Sequence, residues 1–412
     1  MDNSIFWRIF FLCLFFAGFQ PAFSQGPVDQ GVSLIQSFER EQFQGDGKIW
    51  DITQDKHGIM YFAANNGLWE YDGIRWTNYT NIIHNNLRAV HYYNDQTLFS
   101  AGYGGFGCWK KDDKGDLKYT DIYSAGLDES NHAAEFWSIA QHQNQILFQS
   151  FEKLFFYHPQ KEGLDSIEAP SAFSFLLKSN GRVFVEDYVE GLYEIVDQEL
   201  VALPNTDVFG GSITGISVVD ENELLIVSED DGVFEWNNGE LSSKRWRLNR
   251  GLKRDRVYSF AELEKGHLVY GTIMNGLFVS NKQGERLLHM DTRKGLEKNT
   301  ILSLFVDNKE NLWLGLDGGV NYLKINSSTS YLLDEIAKIG TVYASQRKEA
   351  MHYIGSNQGL YTLNLKNENS RPQLVDGSQG HVLCVGDIDD RILVGHHKGA
   401  FILSDGEMKQ IS

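Results

Sequence analysis

The densest set of charged residues in this sequence lies between positions 244 and 256, where seven cations fall within thirteen residues. They are Lys244, Arg245, Arg247, Arg250, Lys253, Arg254 and Arg256, with Asp255 as the one acid among them. A second basic segment follows, with Arg293, Lys294 and Lys298. Because an arginine fork can pair with two oxygens of a carboxylate or sulfate, these segments are candidates for binding an anionic ligand.

Two tyrosines, Tyr103 and Tyr188, stand in loops that the strand pattern places on the same face as the basic segments. Tyrosine rings present a flat apolar body with a polar tip, which suits contact with a sugar. We therefore predict a site for an anionic oligosaccharide, bearing uronate or sulfate, made of Tyr103, Tyr188, Arg250, Arg254, Arg256, Arg293 and Lys298. The alternative is a surface of ion pairs in which the acidic run 229–231 neutralises the cations.

No catalytic or cofactor motif stands out. The sequence contains no G-x-S-x-G, no H-E-x-x-H and no P-loop. The one adjacent histidine pair, His396 and His397, is predicted to point to opposite faces of a strand, which does not suit one shared metal. The acidic run 386–390 is predicted to form a hairpin turn rather than a calcium loop. We expect no catalytic residue, no metal and no cofactor.

Composition narrows the class of protein. The 412 residues carry a net charge of −18, which disfavours partners such as nucleic acid and anionic membrane surfaces. The chain has 40 glycines, only 6 prolines and 13% aromatic residues. This combination is typical of short strands joined by tight turns, so we expect an all-β protein.

The first residues read as an export signal. Arg8 precedes the apolar run 9–18, and Ala22-Phe23-Ser24 fits a small-x-small cleavage site. The run is shorter than the ~20 residues needed to cross a bilayer, so residues 1–24 are predicted to be a signal peptide for export to the periplasm. An uncleaved anchor is the alternative. Cys108 and Cys384 of the exported chain are predicted to be buried, unpaired thiols.

The rest of the chain repeats one unit about nine times, every 37 to 48 residues. Each unit predicts four strands, and most of the nine units carry a glycine just before the third. The units begin at Ile49, Leu87, Glu135, Ala172, Ser212, Arg256, Ile301, Val342 and His381. Four-stranded units at this spacing predict a β-propeller, whose blades bury their faces against one another. Trp69, Trp313, Tyr270 and Tyr353 are predicted to pack between blades.

Three segments of these units resemble a known family. QDKHGIMYFAANNGLWEYDG, VDNKENLWLGLDGGVNYL and YIGSNQGLYTL resemble the two-component regulator propeller repeat, although residues 308–311 lack the usual turn glycine. Residues 31–76 resemble the start of exported sensors that carry a triple-tyrosine domain.

That resemblance implies a particular whole protein. In such proteins two seven-bladed propellers precede a triple-tyrosine domain, a membrane helix and a cytoplasmic histidine kinase or helix-turn-helix regulator. The propellers sense a ligand, often a carbohydrate, outside the cytoplasmic membrane. The resemblance therefore implies that this chain is the extracytoplasmic part of a longer sensor, or a truncated gene product. Membrane contact would come through the missing downstream segment or an uncleaved signal, and the full-length protein could be a homodimer.

The repeat count sets the expected domains. Residues 25–326 are predicted to form a seven-bladed ring, with the strand at 34–38 completing the seventh blade. Residues 327–340, which begin serine-rich, are a predicted linker, and 341–412 are predicted to start a second propeller with two blades. A single ring of eight or nine blades is the alternative.

Three functions from different classes fit a propeller. The first is a periplasmic sensor module that binds a carbohydrate without catalysis, and the family resemblance favours it. The second is a propeller-fold polysaccharide lyase or glycosidase, which needs paired acid and base groups around a central funnel. The third is a protein-interaction scaffold. The fold alone favours none of them.

Overall fold

The structure is a computed structural model, and it describes residues 32–38, 47–80, 86–94, 97–123, 134–325, 327, 330–331, 339–365, 370–404 and 406–411. The predicted signal peptide at 1–24 and its cleavage site near Ser24 lie outside these residues, as does most of the predicted linker.

Nine antiparallel sheets follow one another along the chain, and each contains four consecutive strands, apart from the seventh, which also recruits strands from elsewhere. The first strand of each blade, which we call the innermost strand, starts within one residue of the predicted start of its unit. The prediction of an all-β propeller fold is confirmed, because alternating apolar residues and aromatic second strands give each sheet two apolar faces that adjoining blades cover.

Strands of the first four blades, preceded by one strand that belongs to the seventh, are β1 (Val32–Phe38), β2 (Ile49–Gln54), β3 (Met60–Ala64), β4 (Gly67–Tyr71), β5 (Trp76–Tyr79), β6 (Leu87–Asn94), β7 (Thr97–Gly102), β8 (Gly105–Lys111), β9 (Leu117–Asp121), β10 (Phe136–His142), β11 (Gln145–Ser150), β12 (Lys153–His158), β13 (Gly163–Glu168), β14 (Phe173–Ser179), β15 (Arg182–Asp187), β16 (Gly191–Val196) and β17 (Glu199–Ala202).

Strands of the remaining blades are β18 (Ile213–Val218), β19 (Glu223–Ser228), β20 (Gly232–Asn237), β21 (Glu240–Ser243), β22 (Val257–Glu262), β23 (Leu268–Thr272), β24 (Leu277–Ser280), β25 (Arg286–Met290), β26 (Ile301–Val306), β27 (Leu312–Leu316), β28 (Gly319–Lys324), β29 (Ser330–Tyr331), β30 (Val342–Lys348), β31 (Met351–Ser356), β32 (Leu360–Asn364), β33 (Gln373–Leu374), β34 (Val382–Ile388), β35 (Arg391–His396), β36 (Gly399–Ser404) and β37 (Glu407–Gln410).

The seventh blade combines strands from both ends of the ring. β1 pairs antiparallel with β28, from Leu34 opposite Lys324 to Phe38 opposite Val320. The innermost strands β2 and β26 then pack directly on each other. A single ring of eight or nine blades is therefore excluded, because the first and seventh blades are neighbours. β29 extends the same sheet beyond β1, so residues 330–331 of the predicted linker are part of the seventh sheet.

Two further blades, β30–β33 and β34–β37, pack on each other rather than in the ring. Their shared cluster includes Leu360, Val382 and Val394, and none of its members comes from the first seven blades. The assignment of these two blades to a second propeller stays a prediction.

Aromatic side chains fill the space between blades. Trp69, Trp313 and Tyr270 are only 3%, 6% and 0% exposed, as predicted, and Tyr353 is half-buried. Phe106 and Phe148 stack with ring centroids 3.9 Å apart across blades two and three. Burying such rings supplies much of the apolar stabilisation of the fold, at roughly 25 cal/mol per Å² of surface removed from water.

In the first and seventh blades, an aspartate organises the turn between the first and second strands. Asp55 accepts hydrogen bonds from the backbone of His57 and Ile59, and Gly58 takes the left-handed position with φ +89°. In the seventh blade Asp307 plays the same part, and Glu310 adopts φ +59° where glycine is usual. The missing turn glycine therefore leaves the turn type unchanged and adds backbone strain.

Helical structure within the described residues is limited to one short helix, α1 (Asn249–Asp255), and 3-10 turns such as Thr292–Lys294. No helix in these residues combines the length and the apolar character needed to cross a bilayer. Cys108 and Cys384 are both unpaired, as predicted. Cys108 is buried, but the prediction that Cys384 is buried is wrong, because it lies on an exposed face of the ninth blade.

Candidate ligand-binding site at the mouth of the channel

A β-bulge at the start of each innermost strand breaks the regular alternation of side chains. In the first blade the pairing with β3 skips Trp50, and in the third blade the pairing with β11 skips Trp137. A bulge leaves one residue unpaired and re-aims its side chain. The bulged residue of each ring blade is turned toward the propeller axis.

The bulged side chains form a ring at the end of the central channel that adjoins the connections between blades. Together with residues one step deeper, they line a cavity of about 200 Å³. The ring consists of Trp50, Arg88, Trp137, Phe175, Thr214, Tyr258 and Leu302. We call this set the channel mouth. In blades eight and nine the same slots hold Tyr343 and Leu383, which are 46% and 56% exposed.

Arg88 lies between two indole rings of the channel mouth. Its guanidinium carbon is 4.4 Å from the ring centre of Trp50 and 4.8 Å from that of Trp137. The two indoles meet edge to face at 6.0 Å. Cation–π contacts of this kind contribute about 0.5–2 kcal/mol each. The result is a rigid surface of flat rings around one fixed cation.

Polar neighbours fix this cation in one orientation. Arg88 Nε donates to Glu135 Oε1 at 3.0 Å, and Arg88 Nη1 donates to Asn65 Oδ1 at 2.8 Å and Asn86 Oδ1 at 2.9 Å. The indole nitrogen of Trp50 also donates to Asn65, at 2.6 Å. Because a carboxylate and two amides surround Arg88, the site is polar and close to neutral, with flat apolar walls.

Further rings continue the wall around the mouth. Trp137 lies 6.4 Å from Phe175, Phe175 lies 6.5 Å from Tyr258, and Phe151 lies 6.0 Å from Trp137. Burial raises the pKa of Tyr258, the charges of Glu229 and Tyr188 add to this rise, and the charge of Arg88 opposes it. Those contributions place Tyr188 and Glu229 within electrostatic reach of the mouth.

Both tyrosines that were predicted as ligand residues lie on this face. Tyr103 is 55% exposed and forms an isolated bridge with Glu135, the partner of Arg88. Tyr188 is 53% exposed, and its loop is organised by the buried Asp187. Asp187 accepts hydrogen bonds from the backbone of Ser171, Ala172, Val189 and Glu190 and from the hydroxyl of Ser171. Burial raises the pKa of Asp187, but these hydrogen bonds outweigh it and lower the pKa.

Deeper in the channel lie a carboxylate and an ammonium group. Asp51 accepts hydrogen bonds from the backbone of Val90 and Ile52, at 3.0 and 2.8 Å. Burial raises its pKa to about 6, against the opposing effects of Val90 and the charge of Lys178. Burial lowers the pKa of Lys178, and Asp51 raises it. Protein surrounds Lys178, yet its side chain stays accessible from the channel, so solvent limits this lowering.

The predicted basic residues are largely engaged in ion pairs. Arg254 makes a two-pronged pair with Asp255 at 2.7 and 2.8 Å, and Arg293 pairs with Asp291. Arg256 binds Glu229 at 2.5 Å and Asp230 at 2.9 Å, as the alternative of an ion-paired surface expects. Surface pairs of this kind contribute only ~0–1 kcal/mol.

Arg250 and Lys298 are exposed, and neither has an ion-pair partner among the described residues. The structure therefore separates the predicted set into four groups, of which Arg250 and Lys298 are one. Tyr103 and Tyr188 flank the channel mouth, Arg256 and Arg293 are neutralised by neighbouring acids, and Arg254 lines a different cavity between blades five and six. The assignment of all seven residues to one ligand site stays a prediction.

The sequence reasoning missed the central residues of this mouth, Trp50, Arg88 and Trp137. Regular alternation assigns the second residue of each first strand to the packing between blades, and the bulges reverse that assignment. A signal was nevertheless present. Aligning the units by their first strand would have placed large side chains in one slot in most of them.

The histidine pair behaves differently from the expectation of opposite faces. His396 ends β35 and His397 enters the turn, so their ring centres lie 4.2 Å apart. Both His396 ring nitrogens contact backbone, at Gln379 O and Lys398 N. In the part of the chain that the structure describes, no group of three or more His, Cys, Asp or Glu could hold a metal ion. Asp389 and Asp390 form the predicted hairpin turn.

Comparison with known proteins identifies the fold but not a family. No family model matches the sequence, and no curated protein matches it. Among solved structures, the extracellular domain of the hybrid two-component system BT3049 from B. thetaiotaomicron is 18% identical with a TM-score of 0.66. That match covers 92% of this chain and 54% of that one. The corresponding domain of BT4673 is 17% identical with a TM-score of 0.57, covering 92% and 53%.

Enzymes share this fold as well. Virginiamycin B lyase from Staphylococcus aureus is 12% identical with a TM-score of 0.55, over 70% of this chain and 98% of that one. The chain spans about half the length of the two-component extracellular domains it matches. The predicted resemblance to such domains is thus confirmed at the level of the fold.

Proposed function

We propose that this chain is the extracytoplasmic sensing module of a signal-transduction regulator and that its channel mouth binds an oligosaccharide without catalysis. The fold it shares with the extracellular domains of two-component systems supports the regulatory part. The observation that carries the ligand class is Arg88, clamped between Trp50 and Trp137. Stacked rings accept the apolar face of a sugar, and the adjoining amides and carboxylate suit its hydroxyl groups.

A binding role fits the mouth better than an acid–base role. Glu135 is held by Arg88 at 3.0 Å, which occupies it as an acceptor and keeps it from acting as a free proton donor. Hydrolysis of a glycosidic bond needs two carboxyl groups placed across the bond. An acidic group on the bound oligosaccharide would meet Arg250 and Lys298 on the same face of the ring.

Titration calorimetry with a panel of neutral and acidic oligosaccharides tests this proposal. We expect at least one to bind, and Trp137→Ala to weaken it by at least about tenfold, or ~1.4 kcal/mol. Trp236→Ala, which removes a half-buried indole on β20 that does not line the mouth, is the matched control and should leave this binding unchanged. Equal losses in both variants, or turnover of the bound oligosaccharide, would contradict the proposal.

A further inference from the structure

A second, larger cavity lies away from the channel mouth, between blades five and six. Its volume is about 1030 Å³. It opens to solvent and is bordered by the segment after β21, by α1 and by the hairpin that joins β24 to β25. We call it the flank cavity. The proposed channel-mouth function does not use it.

The lining of the flank cavity is cationic in an otherwise acidic protein. Four arginines line it against one acidic residue, Glu285, and they are Arg245, Arg247, Arg254 and Arg286. Arg245 and Arg247 are exposed, and neither has an ion-pair partner among the described residues. Glu285 already accepts a hydrogen bond from Asn281 at 2.6 Å. An entering anion therefore meets at least two arginines whose charge is not already matched.

Two flat surfaces in the cavity are held in fixed positions. Trp246 lies across the turn at Gly284, where an added Cβ would come within 2.1 Å of the indole. His289 stacks on Phe278 at 4.3 Å with an angle of 11° between the rings, and it contacts the carbonyl oxygen of Asn275 at 2.9 Å. Burial lowers the pKa of His289, so its ring is a neutral surface at pH 7. Rigid aromatic walls lose little conformational freedom when a ligand binds.

We propose that the flank cavity binds a sugar-sized ligand whose ring carries a sulfate, phosphate or carboxylate group, independently of the channel mouth. Trp246 and the His289–Phe278 stack would contact the ring, and Arg245 and Arg247 would bind the oxyanion. A free oxyanion offers the charge without the ring. The walls therefore predict that a ring-borne anion binds more tightly than the inorganic ion.

Calorimetry on the full chain at constant ionic strength, with three probes, tests this. The probes are a sulfated disaccharide, the same disaccharide without sulfate, and sodium sulfate. We expect the sulfated disaccharide to bind at least about tenfold more tightly than either of the others, because both the charge and the ring contribute. Equal affinity for the sulfated and unsulfated forms, or for sodium sulfate, would overturn the proposal.

Variants locate the site. Arg245→Ala with Arg247→Ala removes the charge from exposed positions that do not support the core, and we expect at least a tenfold loss, about the value of one strong charge-assisted contact. Gly284→Ala displaces Trp246 and keeps every charge, so it should also weaken the binding of the sulfated disaccharide. Arg75→Ala with Arg371→Ala removes two exposed arginines elsewhere and should have no effect.

The channel mouth provides the last control. Trp137→Ala should leave binding in the flank cavity unchanged even if the proposed channel-mouth function is wrong. Thermal unfolding of each variant shows whether it is folded before its affinity is compared. A loss in the Arg75/Arg371 double variant equal to that in the Arg245/Arg247 variant would show general charge attraction and would refute a site in this cavity.

Discussion

Consecutive acidic residues near the mouth show how local contacts set charge. Glu186 and Asp187 are both buried, at 5% and 1% exposure. Asp187 accepts hydrogen bonds from the loop that follows it and from Ser171 and Ala172, and these hydrogen bonds outweigh burial and lower its pKa. Glu186 accepts mainly from the backbone of Ile213, at 2.9 Å to each oxygen, and burial raises its pKa to about 7. The end of β15 therefore carries one carboxylate that is held ionised and one carboxyl group that titrates near neutrality.

This raised pKa predicts a pH-dependent stability. A carboxyl group that binds its proton more tightly in the folded state stabilises the fold fully below its unfolded pKa of 4.5, and that contribution is lost as pH rises through about 7. Between about pH 4.5 and 8, we expect the free energy of unfolding of the wild type to fall by up to about 3 kcal/mol relative to that of Glu186→Gln. Urea unfolding at several pH values measures this. Glu240→Gln, at an exposed position, is the control, and a difference that does not vary with pH would contradict the prediction.

At the scale of the strand and turn, the ring depends on two irregular features that repeat. The bulge at the start of each innermost strand supplies the mouth with its side chains. The aspartate turn between first and second strands, seen at Asp55 and Asp307, fixes the register of the hairpin. One residue of that turn is left-handed, and it is Gly58 in the first blade and Glu310 in the seventh. A turn of this geometry therefore tolerates a side chain at the expense of backbone strain.

Gly58→Ala tests that strain. The site is sterically open, since the nearest atom to an added Cβ is Gln54 Nε2 at 3.8 Å, so the loss comes from φ alone. We expect a destabilisation of about 1–2 kcal/mol. Gly251→Ala, inside α1 with nothing within 4 Å of the new Cβ, should instead stabilise by up to about 1 kcal/mol. Chemical denaturation compares the two, and equal changes would show that the turn does not require a left-handed residue.

For the whole molecule, closure of the ring decides which surfaces are buried. Phe38 of β1 is 4% exposed and stacks on Trp313 of the seventh blade at 5.8 Å. It also meets Tyr71 and Trp76 of the first blade at 5.1 and 5.2 Å. One residue from the start of the chain thus links the two blades that close the ring. At the bulge positions that form the mouth in the ring, blades eight and nine carry Tyr343 and Leu383, which are 46% and 56% exposed.

Phe38→Ala should therefore destabilise the ring selectively. Removing the phenyl group of Phe38 leaves a cavity between blades one and seven. We expect the free energy of unfolding of the seven-bladed ring to fall by about 3–5 kcal/mol. The apolar clusters of blades eight and nine contain only residues from 339 onward, so their unfolding transition should not move. Differential scanning calorimetry measures the unfolding transition of the ring and that of blades eight and nine. Ile74→Ala, at 86% exposure, should change stability by less than about 0.5 kcal/mol, and a joint shift of both transitions in Phe38→Ala would contradict two separate units.

The amino-acid sequence determined the blades of this protein, because a two-residue period, a repeat near forty residues and a glycine before most third strands are all local signals. It placed the first strand of every unit within one residue, and it placed Trp69 and Tyr270 in the core. Only the tertiary structure decided which side chains reach the axis. A bulge is a property of the pairing between two strands, and ring closure brings Trp50 beside Trp137 across 87 positions of sequence. The same holds for the charged residues. The sequence locates every arginine, but only the folded chain shows that Arg256 faces Glu229 and that Arg245 lines an open cavity.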